Sequence, residues 1–412
     1  MINRYVATCG HCQNEFIFRA VVPHAKTESL RFCCPFCAVE LSAAINLDLS
    51  VPVMNLAPVG FALRPWIDEQ LRAVVTVSTD LPVHREKHVL PLPDGGSPFL
   101  LMSTELGPSF LEWIAKVHAL QELRDAAFVK VKVLVDRTRA GDWVRVRQIL
   151  EKDFSEKFPE PLSEDAVIYR CYRVLNLLYV PLMTIEAAAD TLQEYFQYLN
   201  DCISTKMPQY AQLLKLWSRD NEFRSFRFRV LTVLTRVLKN FDAFVAGLLI
   251  QEMPAALQER IDEFRIYRDD WNVVKSLYQD LFELVSQALL FFGAVINLSK
   301  RGDPWHYVIG INSYKQFKKA KAYERLKILE ETPRIARVLG AVSRPMRNTI
   351  GHFAAEYEPC TGNIRYEDGS TLNYLAFLGE FFVAVKALWM ILAMVEKFDL
   401  DMCRFLRDSA AV

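Results

Sequence analysis

Cys9-Gly-His-Cys12 and Cys34-Pro-Phe-Cys37 are the stretches on which the reading of the N-terminal region turns. A Cys-x-x-Cys turn lets two thiolates reach one ion while backbone N–H groups steady the sulfurs, and zinc takes four such ligands in a tetrahedron. Twenty-one residues separate the two pairs. The segments around them are strand-like: Arg4-Tyr-Val-Ala leads into the first pair, Glu15-Phe-Ile-Phe-Arg leaves it, and Leu30-Arg-Phe leads into the second. This layout predicts a zinc ribbon over residues 1–40 with Cys9, Cys12, Cys34 and Cys37 as ligands. Cys33 could stand in for Cys34, but only Cys34 leaves two residues before Cys37. His11 and His24 read as bystanders. Four thiolates close the coordination shell, so the zinc reads as structural, with no cofactor for catalysis.

Outward from the ribbon, residues 41–107 are rich in Val, Leu, Pro and Gly. The period-two run Ala73-Val-Val-Thr-Val and the turn Pro93-Asp-Gly-Gly-Ser97 predict a β-containing linker or small β region. From about 108 the pattern becomes helical and stays so almost to the end. It predicts helices over 108–138, 142–152, 163–202, 208–220, 222–250, 256–298, 313–329, 332–357 and 372–407. The segment from Cys360 to Ser370 reads as a short hairpin or an ordered loop between two of them. A helical middle region, 108–255, is expected to be sensory or regulatory. A boundary near 255 leaves a C-terminal helical bundle over 256–412. The fold class is therefore mainly α, with an N-terminal zinc ribbon and a short β-containing linker.

Apolar residues make up 51% of the 412, which supports a folded chain of two or more domains. Lys plus Arg and Asp plus Glu are 49 each, so no global basic field points to nucleic acid. Met1-Ile-Asn-Arg-Tyr lacks the charged-then-apolar layout of a signal peptide, and nine cysteines with four in metal spacing fit a reducing cytoplasm. Cys171, Cys202, Cys360 and Cys403 then read as packing residues. The apolar stretches Gln287–Asn297 and Tyr374–Val395 read as buried helices and not as membrane spans: the first is short, and the second carries Glu380 and Lys386. Phosphate-loop, dinucleotide, nucleophile-elbow and His-Glu-x-x-His patterns do not occur.

Arg347-Asn348-Thr349-Ile350-Gly351-His352 follows a helically patterned segment that runs to Pro345. Asn348 and His352 are four apart and share a helical face, while Arg347 lies about 140° around from His352 and must curl to meet it. Such a trio can cleave RNA without a metal. Histidine serves as acid or base at the ribose 2′-hydroxyl or the leaving oxygen, arginine steadies the phosphate, and asparagine orients either partner. The stretch resembles the Arg-x4–6-His signature of HEPN-domain ribonucleases, whose arginine is commonly followed by a polar residue. The resemblance covers about residues 260–405 and extends to HEPN-like proteins of bacterial defence and toxin systems. It implies a helical bundle that forms a homodimer, with His352 as acid/base, Arg347 as phosphate stabiliser and Asn348 as the orienting group. It also implies RNA as substrate and an antitoxin or trigger protein as a further partner. Pro345 and Gly351 depart from regular helix.

The basic run 315–327 sets six positive charges against one negative, with Phe317 and Tyr323 interleaved. Lys315, Lys318, Lys319, Lys321 and Arg325 could follow an RNA backbone, although a solvated helix face is the commoner explanation. Arg224-Ser-Phe-Arg-Phe-Arg229 could bind nucleic acid or equally an acidic neighbour. Two functions follow: a cytoplasmic, metal-independent endoribonuclease in antiphage defence or acting as a toxin, or a non-catalytic binding or scaffold protein. Neither needs a membrane.

Overall fold

The computed structural model describes residues 2–48, 53–66, 73–85, 88–89, 97–124, 128–158, 163–179, 185–268, 270–306, 310–339 and 355–410. The chain is mostly helical with an N-terminal β region. It forms two compact units built from non-contiguous stretches. Unit 1 takes 1–118, 240–276 and 348–382, and unit 2 takes 119–239, 277–347 and 383–412. Composition suggested contiguous ranges because it registers each segment's own character and carries no information about which distant segments pack together.

Unit 1 opens with β1 (Ile2–Cys9), β2 (Glu15–Val21), β3 (Thr27–Cys33), β4 (Glu40–Asp48), β5 (Val53–Val59), β6 (Phe61–Pro65), β7 (Ala73–Val77), β8 (Val83–His84) and β9 (His88–Val89). One sheet has the order β6-β1-β2-β7-β9, with β2 and β7 parallel; a second has the order β3-β4-β5. Each Cys-x-x-Cys pair is the turn of a hairpin, the first between β1 and β2 and the second between β3 and β4. Gly60, at φ +85°, carries the chain from β5 in the second sheet to β6, which pairs with β1 in the first. A left-handed φ of that kind is open to glycine at no steric cost.

Alternation explains the core between these sheets. Leu30 and Phe32 point inward from β3, Leu41, Ala43 and Ile45 from β4, and Phe16 and Phe18 from β2. Phe18, Phe32 and Phe61 meet with ring centroids 5.2 to 5.5 Å apart. Glu28 lies in phase with Leu30 and Phe32, so the same alternation buries a carboxylate.

The later stretches of unit 1 wrap this β region. β10 (Phe264–Arg265) pairs with β8, and β11 (Ala355–Glu358), β12 (Asn363–Tyr366) and β13 (Thr371–Asn373) form an antiparallel meander. β12 and β13 make the hairpin expected after Cys360. Helix Val245–Gln251 packs closely on the start of helix Tyr374–Ala410: a Cβ on Gly247 would come within 2.7 Å of the Leu378 carbonyl oxygen. Only glycine allows that approach.

Unit 2 is helical. In helix Glu222–Lys239 the buried residues Phe223, Phe226, Val230, Leu234 and Val237 recur every three to four positions, the stripe that a helix needs to join a core. Trp217, Phe226, Phe291 and Phe398 stack in that core, with Phe226 and Phe291 4.7 Å apart and Trp217 and Phe398 5.2 Å apart. Arg227, in the basic run 224–229, is buried and pairs with Asp399 at 2.6 Å; the Tyr172 hydroxyl donates to the same carboxylate at 2.5 Å. The acidic neighbour of that run is thus within the chain.

Several expected helices differ; 222–250 breaks after Lys239 into a 3₁₀ turn, Phe241–Phe244, and helix Val245–Gln251. Residues 256–270 hold the short helix Ala255–Gln258 and β10, and the long helix begins only at Trp271. The run 313–329 breaks into Tyr314–Lys319, Ala322–Leu326 and a 3₁₀ turn, because Glu324 reaches back to accept from the Lys321 N–H at 2.7 Å and starts a new helix there. Helix Pro333–Leu339 is the described part of 332–357, and Ala355–Glu358 is strand. Helices Trp271–Arg301 and Tyr374–Phe405 are long and apolar enough to cross a membrane, but 83% and 67% of their most apolar windows are buried inside the protein.

Candidate metal centre

The two knuckles are built alike. Cys9 ends β1 and Cys34 directly follows β3, and the residues four further on, Gln13 and Ala38, take left-handed φ values of 62° and 59°. Gln13 N–H donates to the Cys9 carbonyl and Ala38 N–H to the Cys34 carbonyl, both at 3.0 Å. Cys9 N–H reaches Asn14 O at 3.1 Å, and Cys34 N–H reaches Val39 O at 2.9 Å. These bonds curl each turn so that both of its sulfurs face one point. Gly10 N–H donates to Gly60 O at 2.9 Å and anchors the first knuckle to the β5–β6 corner.

The four sulfurs lie within 4.8 Å of one another, with Cys9 and Cys37 3.8 Å apart and Cys12 and Cys34 3.7 Å apart. A tetrahedron with metal–sulfur bonds of about 2.3 Å has edges of about 3.8 Å, so the group fits one ion of that kind. Cys9 and Cys34 are buried, and Cys12 and Cys37 are half-buried. The Asn14 backbone N–H, directed at Cys12, lowers that thiol to about 7, whereas burial pushes Cys34 up to about 12. Four thiolates this close repel one another, and a divalent cation removes the conflict. The buried group can hold a metal ion. His11 lies outside it.

No known protein family, curated protein or solved structure matches this chain.

A second set of metal-ligand types, His24, Glu28 and Asp80, also lies within 4.8 Å of one another. Its occupant is already built in. His24 Nδ1 meets Asp80 Oδ2 at 2.8 Å and His24 Nε2 meets Asp242 Oδ1 at 2.7 Å. Arg268, 3% exposed, reaches Asp80 at 3.2 Å, Glu28 at 3.4 Å and Asp270 at 2.6 Å. Burial by itself would lower the His24 pKa, but Asp80, Asp242 and Glu28 outweigh it and raise it to about 10. The ring is an imidazolium and an ion-pair partner. Burial and the neighbouring Asp80 raise Glu28 to about 7, against the pull of Arg268 and His24. A cavity of about 380 Å³, lined in part by Glu28, Asp242, Arg268 and Asp270, adjoins the cluster. Reading His24 as a bystander to the cysteines missed this role. The signal was Glu28 in phase with apolar residues, but its cations come from 24 and 268.

The other sequence candidates divide into three groups. Arg347, Asn348 and His352 lie outside the described residues. Lys315, Lys318, Lys319 and Lys321 are exposed, with Lys318 paired to Glu222. Arg325 is half-buried and donates to the Ser286 carbonyl at 3.1 Å and the Lys318 carbonyl at 2.6 Å. Those contacts make Arg325 a brace between backbone segments. Cys171 and Cys202 are buried packing residues, as their scatter suggested, but Cys360 is not: it is disulfide-bonded to Cys33. Spacing could not reveal a partner 327 residues away.

Proposed function

We propose that Cys9, Cys12, Cys34 and Cys37 hold one structural zinc ion, and that the chain is a metal-independent endoribonuclease in which Arg347, Asn348 and His352 act on RNA. The sulfur spacing of 3.7 to 3.8 Å carries the zinc assignment, since it matches the tetrahedral edge that zinc imposes. With four protein ligands the ion leaves no position for water, so it supports the fold of the β region. Cleavage chemistry then rests on side chains. The Arg347–His352 stretch and its resemblance to HEPN ribonucleases support that reading, as does a mainly helical chain.

In this reading His352 takes the proton from the ribose 2′-hydroxyl or returns one to the leaving oxygen, and Arg347 holds the phosphate as charge builds on it. Asn348 orients one of them. Exposed Lys315, Lys319 and Lys321 follow the RNA backbone. The chain acts in the cytoplasm as a homodimer through its C-terminal helices, in antiphage defence or as a toxin, restrained by an antitoxin or awaiting a trigger.

The test uses zinc-loaded wild type and His352→Ala, shown to be folded, incubated with total RNA in buffer without added divalent cations. Fragments ending in 2′,3′-cyclic phosphate from the wild type alone are expected. Intact RNA after addition of candidate triggers sinks the nuclease reading while leaving the zinc assignment standing. One observation favours a second reading, a binding module: Phe36, within the second knuckle, is 51% exposed. A large apolar side chain at a metal-stabilised tip suits contact with a protein partner.

A further inference from the structure

Cys33 ends β3 and immediately precedes the metal-ligand position Cys34, and its disulfide to Cys360 brings the two Cα atoms to 5.0 Å. Cys360 is exposed, and its Sγ lies 3.7 Å from the carbonyl oxygen of Ala38, the residue that closes the second knuckle. The bond therefore ties the loop after β11 to the metal centre. Exposed disulfides are the ones that exchange with free thiols.

Beside the sulfurs lies a cavity of about 210 Å³. Its lining includes His84, Arg85 and Arg265 and no carboxylate among the described residues. Arg265 donates from Nη1 to the Cys360 carbonyl at 2.8 Å and from Nη2 to the Tyr267 hydroxyl; its buried Nε has no partner among the described residues. Arg85 donates to the Phe264 carbonyl at 2.9 Å and to Asn363 Oδ1 at 2.6 Å. Both guanidiniums spend their hydrogen bonds on neutral acceptors. Burial lowers Arg265 to about 10, with Tyr357 opposing and the like charge of Arg85 adding to it; burial also lowers Arg85, with Asp262 and Tyr357 opposing. Gly362, at φ +68°, leaves room for this arrangement, since a Cβ there would lie 3.0 Å from the Arg265 Cβ. A half-buried pocket whose described lining carries two guanidiniums and no carboxylate suits an anion, and the disulfide-bonded Cys33 and Cys360 line it beside them.

We propose that Cys33–Cys360 is a thiol–disulfide exchange site whose substrate is a small thiol carrying carboxylates, with the carboxylates held by Arg265 and Arg85. The thiolate attacks the exposed Cys360 Sγ. The Cys33–Cys360 bond breaks, its electron pair leaves on Cys33 Sγ, which takes a proton from solvent, and a mixed disulfide remains on Cys360. A second thiolate attacks the substrate sulfur of that mixed disulfide, Cys360 leaves as thiolate and is protonated, and the substrate departs as its own disulfide. Two electrons pass from two thiols to the protein. Reduction releases the loop from the second knuckle and sets a free Cys33 thiol beside Cys34, so the redox state of the small-thiol pool is read at the metal centre. None of this depends on the nuclease reading.

The experiment uses the full zinc-loaded chain. Thiol counting after denaturation with chelator should find seven free thiols of the nine cysteines; nine would overturn the proposal. Reduction is then followed with glutathione and with glutathione diethyl ester, which has the same sulfur and blocked carboxylates, at matched thiolate concentration and low salt. Glutathione should react about three- to fivefold faster, the worth of one or two partly exposed charge pairs. Mass analysis should place the mixed disulfide on Cys360. In Arg265→Gln the preference should fall to about that of Arg85 alone while the ester's rate stays within about twofold, and Arg265→Lys should keep more of it than Arg265→Gln. An equal preference in wild type and Arg265→Gln, or no preference in wild type, overturns the carboxylate pocket.

Discussion

Cys9, Cys12, Cys34 and Cys37 converge within 4.8 Å, and so do His24, Glu28 and Asp80, all of them in unit 1. The first group contains only groups that become anions, and no cationic side chain is among its members. The second carries two cations, the His24 imidazolium and the Arg268 guanidinium, placed against Glu28, Asp80, Asp242 and Asp270. Proximity of ligand-type side chains is thus a poor guide to metal binding. What separates the clusters is whether the chain supplies its own positive charge: where it does, the site is an ion-pair network, and where it does not, the group can take a metal ion from solution.

The largest test of this contrast is metal removal. Metal analysis should return one zinc per chain, and two would break the comparison by filling the His24 cluster as well. Since structural zinc contributes on the order of 10 kcal/mol or more to such modules, a strong chelator or Cys9→Ala should abolish the cooperative thermal transition of the β region. A metal-free protein that melts unchanged would show that the hydrophobic core alone holds these sheets.

Next in size is Arg268→Met. It leaves Glu28 and Asp80 without their guanidinium in a buried site, which costs about 3–5 kcal/mol, read by urea denaturation. Added zinc should not restore the variant if the cluster is an ion-pair network. Rescue by zinc would show instead that Arg268 had been keeping a metal out.

Gly10→Ala is smaller. Its Cβ would lie 2.9 Å from the Gly60 carbonyl oxygen, a backbone atom that moves only with the β5–β6 corner. A loss of about 1–3 kcal/mol is expected, as for overpacking elsewhere, along with weaker zinc retention in a competition assay. A neutral result would mean that the first knuckle tolerates displacement from that corner.

The gentlest test is pH. His24 is raised from 6.5 to about 10, so the folded chain keeps a proton that the unfolded chain releases; this contribution is complete below about pH 6.5 and is lost as pH rises to 10. Glu28 is raised from 4.5 to about 7, so its protonation favours the folded chain below that range and the benefit disappears between 4.5 and 7. Asp80 is held below its ordinary value, and its contribution is lost as pH falls below 3.8. Stability from this cluster should therefore decline from about pH 4.5 to 10, by at most about 1.4 kcal/mol per pH unit for each proton. His24→Gln should flatten the alkaline limb; an unchanged limb would place the titration elsewhere.

The sequence alone determined the cysteine ligand set, because a two-residue gap puts two sulfurs on one side of a turn whatever surrounds it. It also determined the alternation that forms β2, β3 and β4 and the helical pattern of most of the chain, since each depends on neighbours within a few residues. Tertiary structure decided everything that joins distant positions. It chose Arg268 as the counter-ion of Glu28, Cys360 as the partner of Cys33, Asp399 as the partner of Arg227, and the pairing of β6 with β1 that closes the first knuckle. Local patterns record which face of an element is buried. They carry no address for what lies against that face, and buried charges and cysteines take their chemistry from that neighbour.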